Sequence, residues 1–321
     1  MNITRTGFLG GAFGAAATAG YARSASAAEM RTVKIGTLKL IHSMAPQFYE
    51  QFLPPNVRVD VIPFDSPPDG KNGLVSGAVD FGNFGLAAAT LGAAAGEPVV
   101  VIAATCNKGM GIVVGKDSGI ATIVQLKGKK IAYQPGSTQE VVFREVLRKA
   151  NLSMATDVQL IRLSFGDMAN ALARGDVDAF VGAEPGPSIS VTSGRGKILS
   201  YPYDTPVGSV NMVFATRREV LDKDLPLVKS IAKMHAQATT HAAGKKNRAE
   251  LIAKTVKTLG LAPNVVEFAL PNVDFEWRID DAYKKRAEYY GGQMLELKQI
   301  AKLPNYSGFI DVSVLSSVGR V

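Results

Sequence analysis

The 321-residue chain is 46% hydrophobic and 20% charged, a globular composition with enough apolar residues for two cores of ordinary domain size. Its net charge of +8 comes from lysines and arginines dispersed along the chain, the densest cluster being Lys127-Gly128-Lys129-Lys130. That argues against a nucleic-acid-binding protein and leaves a mild positive field that favours an anionic ligand.

The first 28 residues read as a signal peptide. Arg5 supplies a short basic start, 8–20 is an apolar stretch of small residues, and Ala25-Ser26-Ala27 is an A-x-A site with cleavage expected near Ala27/Ala28. The apolar stretch is too short to span a bilayer. The start Thr4-Arg5-Thr6-Gly7-Phe8-Leu9 resembles a twin-arginine signal without its second arginine, which leaves the export route open. No cysteine stands near the cleavage site, so the expectation is a protein free in the periplasm and not a lipoprotein.

From residue 30 onward, elements of period two and period 3.6 alternate. Strands are expected at 32–36, 57–64, 79–82, 99–104 and 111–114, with helical stretches at 44–52, 66–76 and 86–95 between them. The pattern then restarts. A strand at 130–133 leads through Gln134-Pro135-Gly136-Ser137-Thr138 into an amphipathic helix over 139–150. A strand at 158–163, a helix at 167–174 and a strand at 177–181 follow. After a strand at 211–216 the chain is mostly helical, over 225–243, 248–259, 263–270 and 280–297. Such alternation argues for an α/β fold built from βαβ units.

One phrase occurs twice. Gly73-Leu74-Val75-Ser76-Gly77-Ala78-Val79-Asp80-Phe81-Gly82 matches Ala171-Leu172-Ala173-Arg174-Gly175-Asp176-Val177-Asp178-Ala179-Phe180. Each is a helix end, a glycine and a strand with Asp at its start, and the spacing of about a hundred residues points to two lobes of like build.

Taken together, these pieces resemble the periplasmic binding proteins for aliphatic sulfonates, taurine and nitrate, grouped with the thiamine-pyrimidine-precursor proteins. The resemblance rests on Ile35-Gly36 and the loop after it, Asp80-Phe81-Gly82-Asn83-Phe84-Gly85, Gln134 to Thr138, the second Gly-x-Val-Asp phrase, Glu184-Pro185, and the tail from Leu295-Glu296-Leu297 to Phe309-Ile310-Asp311. It implies a type II-like two-lobed fold, each lobe a mixed sheet flanked by helices, joined by two crossover strands. Lobe one would comprise 29–115 and 208–321 and lobe two 116–207, with crossings near 113–117 and 208–211. It further implies the solute-binding component of an ABC importer, monomeric, whose partners are a small anion (sulfonate, nitrate or carboxylate) and an inner-membrane permease, with no cofactor and no metal.

In such sheets ligands sit beyond the carboxyl ends of strands, where helix N-termini present free amides and a positive dipole end. The candidate contacts therefore lie on strand-to-helix turns. After strand one these are Lys39, His42 and Ser43; after strand three, Phe84, Gly85 and Leu86; in the second lobe, Gly136, Ser137 and Thr138. Glu184 could accept from a cationic group, and Asn211 stands at the return crossing. Trp277, the only tryptophan, is expected to pack under the C-terminal helices. Cys106, the lone cysteine, lies in an apolar run and reads as a core residue; it rules out an intrachain disulfide and a CxxC motif. No GxSxG, HExxH or P-loop is present, and His235 and His241 are six apart, off the spacing of a helical metal pair. The pyrimidine-synthase members use a cysteine-rich motif that one cysteine cannot supply. A periplasmic sensor docking on a signalling receptor is the remaining alternative.

Overall fold

Arg31–Leu38 (β1) and Val57–Phe64 (β2) pair in parallel, with Ile35 opposite Val61, in a computed structural model that describes residues 30–205 and 207–318. The signal-peptide reading of 1–28 lies outside the described residues. Pro67–Val75 (α1) leads into Phe81–Gly85 (β3), Leu86–Ala95 (α2) and the ten-residue Val99–Lys108 (β4). The chain then changes sheet. Met110–Gly115 (β5) pairs antiparallel with Ala179–Ala183 (β8) and Gly196–Ser200 (β9), while Lys130–Tyr133 (β6) runs parallel to Gln159–Arg162 (β7) and to β8. Thr138–Lys149 (α3), Phe165–Arg174 (α4) and Gly186–Thr192 (α5) cover this second sheet. Met212–Arg217 (β10) returns to the first sheet between β3 and β4, and Val273–Phe275 (β11) adds to its edge. The remaining helices are Arg218–Lys223 (α6), Leu225–Ala243 (α7), Arg248–Leu259 (α8), Pro263–Ala269 (α9), Asp281–Glu296 (α10) and Tyr306–Phe309 (α11). No helix among the described residues is long and apolar enough to cross a membrane.

The strand orders are β11-β4-β10-β3-β1-β2 and β7-β6-β8-β5-β9, which gives two lobes with one mixed sheet each. Helices bury apolar side chains on both faces of each sheet. On the first, Phe48, Phe81, Phe214, Val228 and Ile231 fill one side, and Leu74, Leu86, Tyr283 and Tyr290 the other. On the second, Met168, Leu172 and Phe180 lie opposite Ile131, Phe143 and Leu147.

The sheet change falls at Lys108-Gly109, earlier than the expected 115/116 boundary. Residues 111–114 read as a strand in sequence, but nothing in an apolar run says which sheet it joins. Both residues at the change have left-handed backbones, φ 59° at Lys108 and 70° at Gly109. The stretch 44–52 forms a 3₁₀ turn over Ala45–Gln51 instead of an α-helix, and Gly186-Pro187 opens α5.

The repeated phrase has one physical explanation in both lobes. Gly77 and Gly175 take φ 79° and 78°, a conformation that costs a residue with a Cβ about 1–2 kcal/mol. The Asp three residues beyond each then reaches the parallel neighbour strand, β1 in the first lobe and β6 in the second. Asp80 Oδ2 accepts from Lys34 N at 2.9 Å, and Asp178 Oδ2 accepts from Lys130 N at 2.8 Å. The main chain repeats the link, Asp80 N to Lys34 O and Asp178 N to Lys130 O. Each Asp therefore pins a strand start at half-exposed depth. Asp80→Asn and Asp178→Asn should each cost ~1–2 kcal/mol, since a charged acceptor is replaced by a neutral one. Urea unfolding midpoints check this, and two variants with wild-type midpoints would contradict it.

His235 on α7 is buried in the first lobe. Its Nε2 is 2.8 Å from Ala104 O and its Nδ1 2.8 Å from the Tyr49 hydroxyl, while the ring stacks on Phe214 at 4.2 Å. The Nε2-protonated tautomer satisfies both partners, and burial lowers the pKa to about 4. Trp277 packs against Ala236 of α7 and donates Nε1–H to Thr240 Oγ1 at 3.0 Å.

Candidate ligand site between the lobes

The lobes meet along two apolar seams. In one, Leu38, Leu40, Cys106 and Met212 of the first lobe pack with Phe165, Met168 and Phe180 of the second. In the other, Val141 and Val142 of α3 join the cluster around Leu86 and Tyr290. Between the seams lies a recess of about 10 Å³, room for little more than one water-sized sphere. It opens at the ends of β1 and β3 and the N-terminal turns of α2 and α3.

Its polar lining comes from both lobes. His42 sits in the 3₁₀ turn Ile41–Ser43, which is anchored by Ile41 N to Glu184 O at 3.3 Å and Leu38 N to Ser43 Oγ at 3.2 Å. Its ring is fully buried, with Nε2 3.2 Å from Lys108 O. With the proton on Nε2 that contact is a hydrogen bond, and Nδ1 keeps a lone pair with no partner. Burial holds the pKa near 4, so the ring is neutral. Lys108 O also accepts from Asn211 Nδ2 at 2.5 Å, so the carbonyl at the first crossing ties down two recess residues. Gln139, in the first turn of α3, is buried and lines the recess without a side-chain hydrogen bond among the described residues.

Gly85 caps α2 against Thr138 of the second lobe. A Cβ there would sit 2.8 Å from Thr138 Oγ1. Thr138 Oγ1 donates to Asn211 O at 3.4 Å, and Leu86 N donates to the same oxygen at 2.7 Å.

The structure thus brings His42, Gly85 and Asn211 to the recess, with Thr138 against it. The other expected residues lie elsewhere. Ser43 is behind the wall, accepting from Leu38 N. Phe84 is in the first lobe's core, and Leu86 has its amide on Asn211. Lys39 is exposed and pairs with Asp65 at 2.7 Å. Gly136 and Ser137 do form a helix N-terminus that holds a carboxylate, but it is the chain's own. Gly136 N donates to Glu140 Oε2 at 2.7 Å, Glu140 N donates to Ser137 Oγ at 3.2 Å, and Arg144 grips Glu140 at 2.8 Å. Ser137 and Glu140 have the S-x-x-E spacing of a capping box, which the sequence displays and which marks the turn as self-satisfied. Glu184 is fully buried at the sheet change; its carbonyl anchors the His42 turn, but Glu184 does not line the recess. Its carboxyl accepts from Ser188 N at 3.2 Å and Asn272 Nδ2 at 3.3 Å, and burial raises its pKa to about 7.

Sequence reasoning missed Leu38, Leu40, Pro67, Gln139, Phe165 and Met212, which complete the lining. A second, larger cavity of about 270 Å³ lies outside Leu40 and Phe165, which border both spaces. Cys106 is buried, with its thiol pushed up by burial, the reverse of an activated nucleophile. No group of three His, Cys, Asp or Glu among the described residues could hold a metal ion.

Two mixed sheets, two crossings and a recess at the strand ends between them define a two-lobed periplasmic binding fold. Over residues 26–257 the sequence matches the NMT1-like family, and the chain belongs to it. It is similar, at 26% identity over 233 residues, to a protein of Escherichia coli (strain K12) named as an aliphatic sulfonates-binding protein; the match covers 72% of this chain and 71% of that one. The alkanesulfonate-binding protein SsuA from Xanthomonas axonopodis pv. citri, solved bound to MOPS, superposes with a TM-score of 0.78 at 26% identity over 89% of this chain and 99% of that one. The periplasmic nitrate-binding protein NrtA from Synechocystis PCC 6803 shares the fold, with a TM-score of 0.74 at 16% identity over 90% of this chain and 88% of that one.

Proposed function

We propose that this chain is the solute-binding component of an ABC importer, acting in the periplasm after loss of its leader near Ala27/Ala28, and that it captures a small anion between its lobes. The observation that carries this reading is the convergence of both lobes on one recess: His42, Gly85 and Asn211 from the first, Gln139 and Phe165 from the second. The N-terminal turns of α2 and α3 border it through Gly85 and Gln139, that of α3 already holding the Glu140 carboxylate. His42 Nδ1 is a fully buried polar atom without a partner. It accepts from a ligand donor when neutral, and beside an anion it takes up a proton and donates. A ligand held by both lobes favours the closed arrangement over an open one, and the closed form docks on the permease. The names of the relatives support an anion and an importer. The relatives are named as binding proteins, which supports binding without catalysis.

The test is calorimetric titration of nitrate, methanesulfonate, taurine and acetate into wild type and Gly85→Val. At least one anion should bind 1:1, and at a hundredfold excess over Kd it should stabilise the fold by about 2.7 kcal/mol. Gly85→Val should weaken that anion tenfold or more, because the added methyls meet Thr138 across the lobe contact. A folded wild type that binds none of the four would sink the reading.

A further inference from the structure

We infer that Glu184, Asn272 and Tyr201 form a proton-linked clasp between the lobes, which holds the closed arrangement and loosens as pH rises. This rests on the proposed capture between the lobes and names a regulation of it. Glu184 directly follows β8 and Tyr201 directly follows β9, both in the second lobe; Asn272 directly precedes β11, in the first. Asn272 Nδ2 donates to Glu184 Oε1 at 3.3 Å and to the Tyr201 hydroxyl at 3.2 Å, so one side chain grips two partners on the other lobe. The main chain makes the same crossing, Ile41 N of the first lobe donating to Glu184 O at 3.3 Å.

The centre of the clasp is a carboxyl that the closed arrangement strips of both water and counter-ion. Glu184 is fully buried, its oxygens accept from the neutral donors Ser188 N and Asn272 Nδ2, and it forms no ion pair among the described residues. Parting the lobes takes Asn272 away and lets water reach the carboxyl, where its charge is solvated. Ionisation therefore favours the open arrangement, and by linkage closure favours the proton. That burial raises this carboxyl to about 7 agrees with the geometry. The phenols of Tyr201 and Tyr203, stacked at 5.5 Å, are raised by burial and stay neutral. His42, on the turn that Glu184 O anchors, is held near 4. Lys108 lies over the Tyr203 ring at 6.0 Å, and Lys39, just before the turn, pairs with Asp65. Beside a bound anion His42 also takes up a proton, so the test separates the two groups.

The experiment titrates methanesulfonate and nitrate, which stay ionised throughout, at pH 5.5 and pH 8. It also records small-angle X-ray scattering of the ligand-free protein at both. Each pKa unit by which opening lowers the carboxyl is a factor of ten in closing, so wild type should bind about tenfold tighter at the lower pH. Its ligand-free radius of gyration should be smaller there too. Glu184→Gln keeps the shape without the charge and should reduce the affinity ratio to about twofold or less. Asn272→Ala removes a donor that favours the charged form in the closed arrangement. It should weaken binding most at pH 8, by about fivefold, and so widen the ratio. A residue that only supports the fold would not move the ratio in opposite directions in the two variants. Equal wild-type affinity at the two pH values overturns the clasp while leaving capture standing. So does a ratio that survives in Glu184→Gln, which assigns the proton to another group such as His42. Should Glu184→Gln not fold, a ratio no wider in Asn272→Ala than in wild type overturns the clasp. If neither anion binds folded wild type, capture falls and scattering decides alone: equal radii at the two pH values overturn the clasp.

Discussion

Gly109→Ala should melt roughly 5–10 °C below wild type and lose most of its ligand affinity. Gly109 sits at the sheet change with φ 70°, where a Cβ costs about 1–2 kcal/mol of backbone strain. That Cβ would also overlap the His42 imidazole, lying 2.7 Å from Cε1 and 2.8 Å from Cδ2. The ring cannot swing away, because it is fully buried and tied to Lys108 O. Overpacking of this kind adds ~1–3 kcal/mol, and in a chain of this size each kcal/mol lowers Tm by about 2–4 °C. Gly119→Ala is the matched control. Its φ is 68°, and a Cβ there meets nothing within 4 Å, so it carries the backbone cost alone. Calorimetric melting of the two variants separates the contributions. A Gly109→Ala protein that melts with Gly119→Ala and binds ligand as wild type does would show that the crossing does not position His42.

The second large effect is on the pH dependence of stability. His42 and His235 have pKa values lowered to about 4 by burial, so the unfolded chain binds their protons first. Their contribution is present above pH 6.5 and lost as pH falls toward 4, on the order of 3 kcal/mol per ring at ~1.36 kcal/mol per pKa unit. Glu184 runs the other way. Burial raises its pKa to about 7, so its contribution is present below pH 4.5 and lost as pH rises through 7. Between pH 4.5 and 6.5 the glutamate offsets part of what the two histidines lose. Glu184→Gln removes that offset, and its urea midpoint should drop more steeply than wild type from pH 6.5 to 4.5. His42→Asn should drop less steeply. Parallel profiles for wild type and Glu184→Gln would mean that the Glu184 carboxyl is not held protonated at the sheet change.

Much of the fold was legible because its devices are local. Helix ends at Gly77 and Gly175, and the Asp that follows each, are written within ten residues, and the structure gives both copies the same hydrogen bonds. Strands such as 57–64 and helices such as 225–243 declare themselves by period alone. The sheet that 110–115 joins was not legible, since an apolar strand carries no address and the change depends on two left-handed residues.

The site was legible only where a turn residue itself faces the other lobe, as at His42, Gly85 and Asn211. Glycine, serine and threonine at a helix start looked like a cradle for an external anion. Glu140, one turn further on, supplies the carboxylate instead, while Gln139 between them reaches the recess. Phe165 and the Leu259–Leu261 turn are separated by more than ninety residues, and only the closure of two lobes brings them to one cavity.

The most direct test of capture between lobes is an interlobe distance. Ala78 on the first lobe and Thr156 on the second are exposed, and Cys106, the only native cysteine, is buried, so cysteines introduced at those two positions can be spin-labelled selectively. Pulsed dipolar spectroscopy on the labelled protein, without ligand and with a saturating alkanesulfonate, reads the distance distribution directly. The account predicts a broader distribution, reaching longer distances, without ligand, and a single narrow population with it. Bound ligand with an unchanged distribution would contradict it.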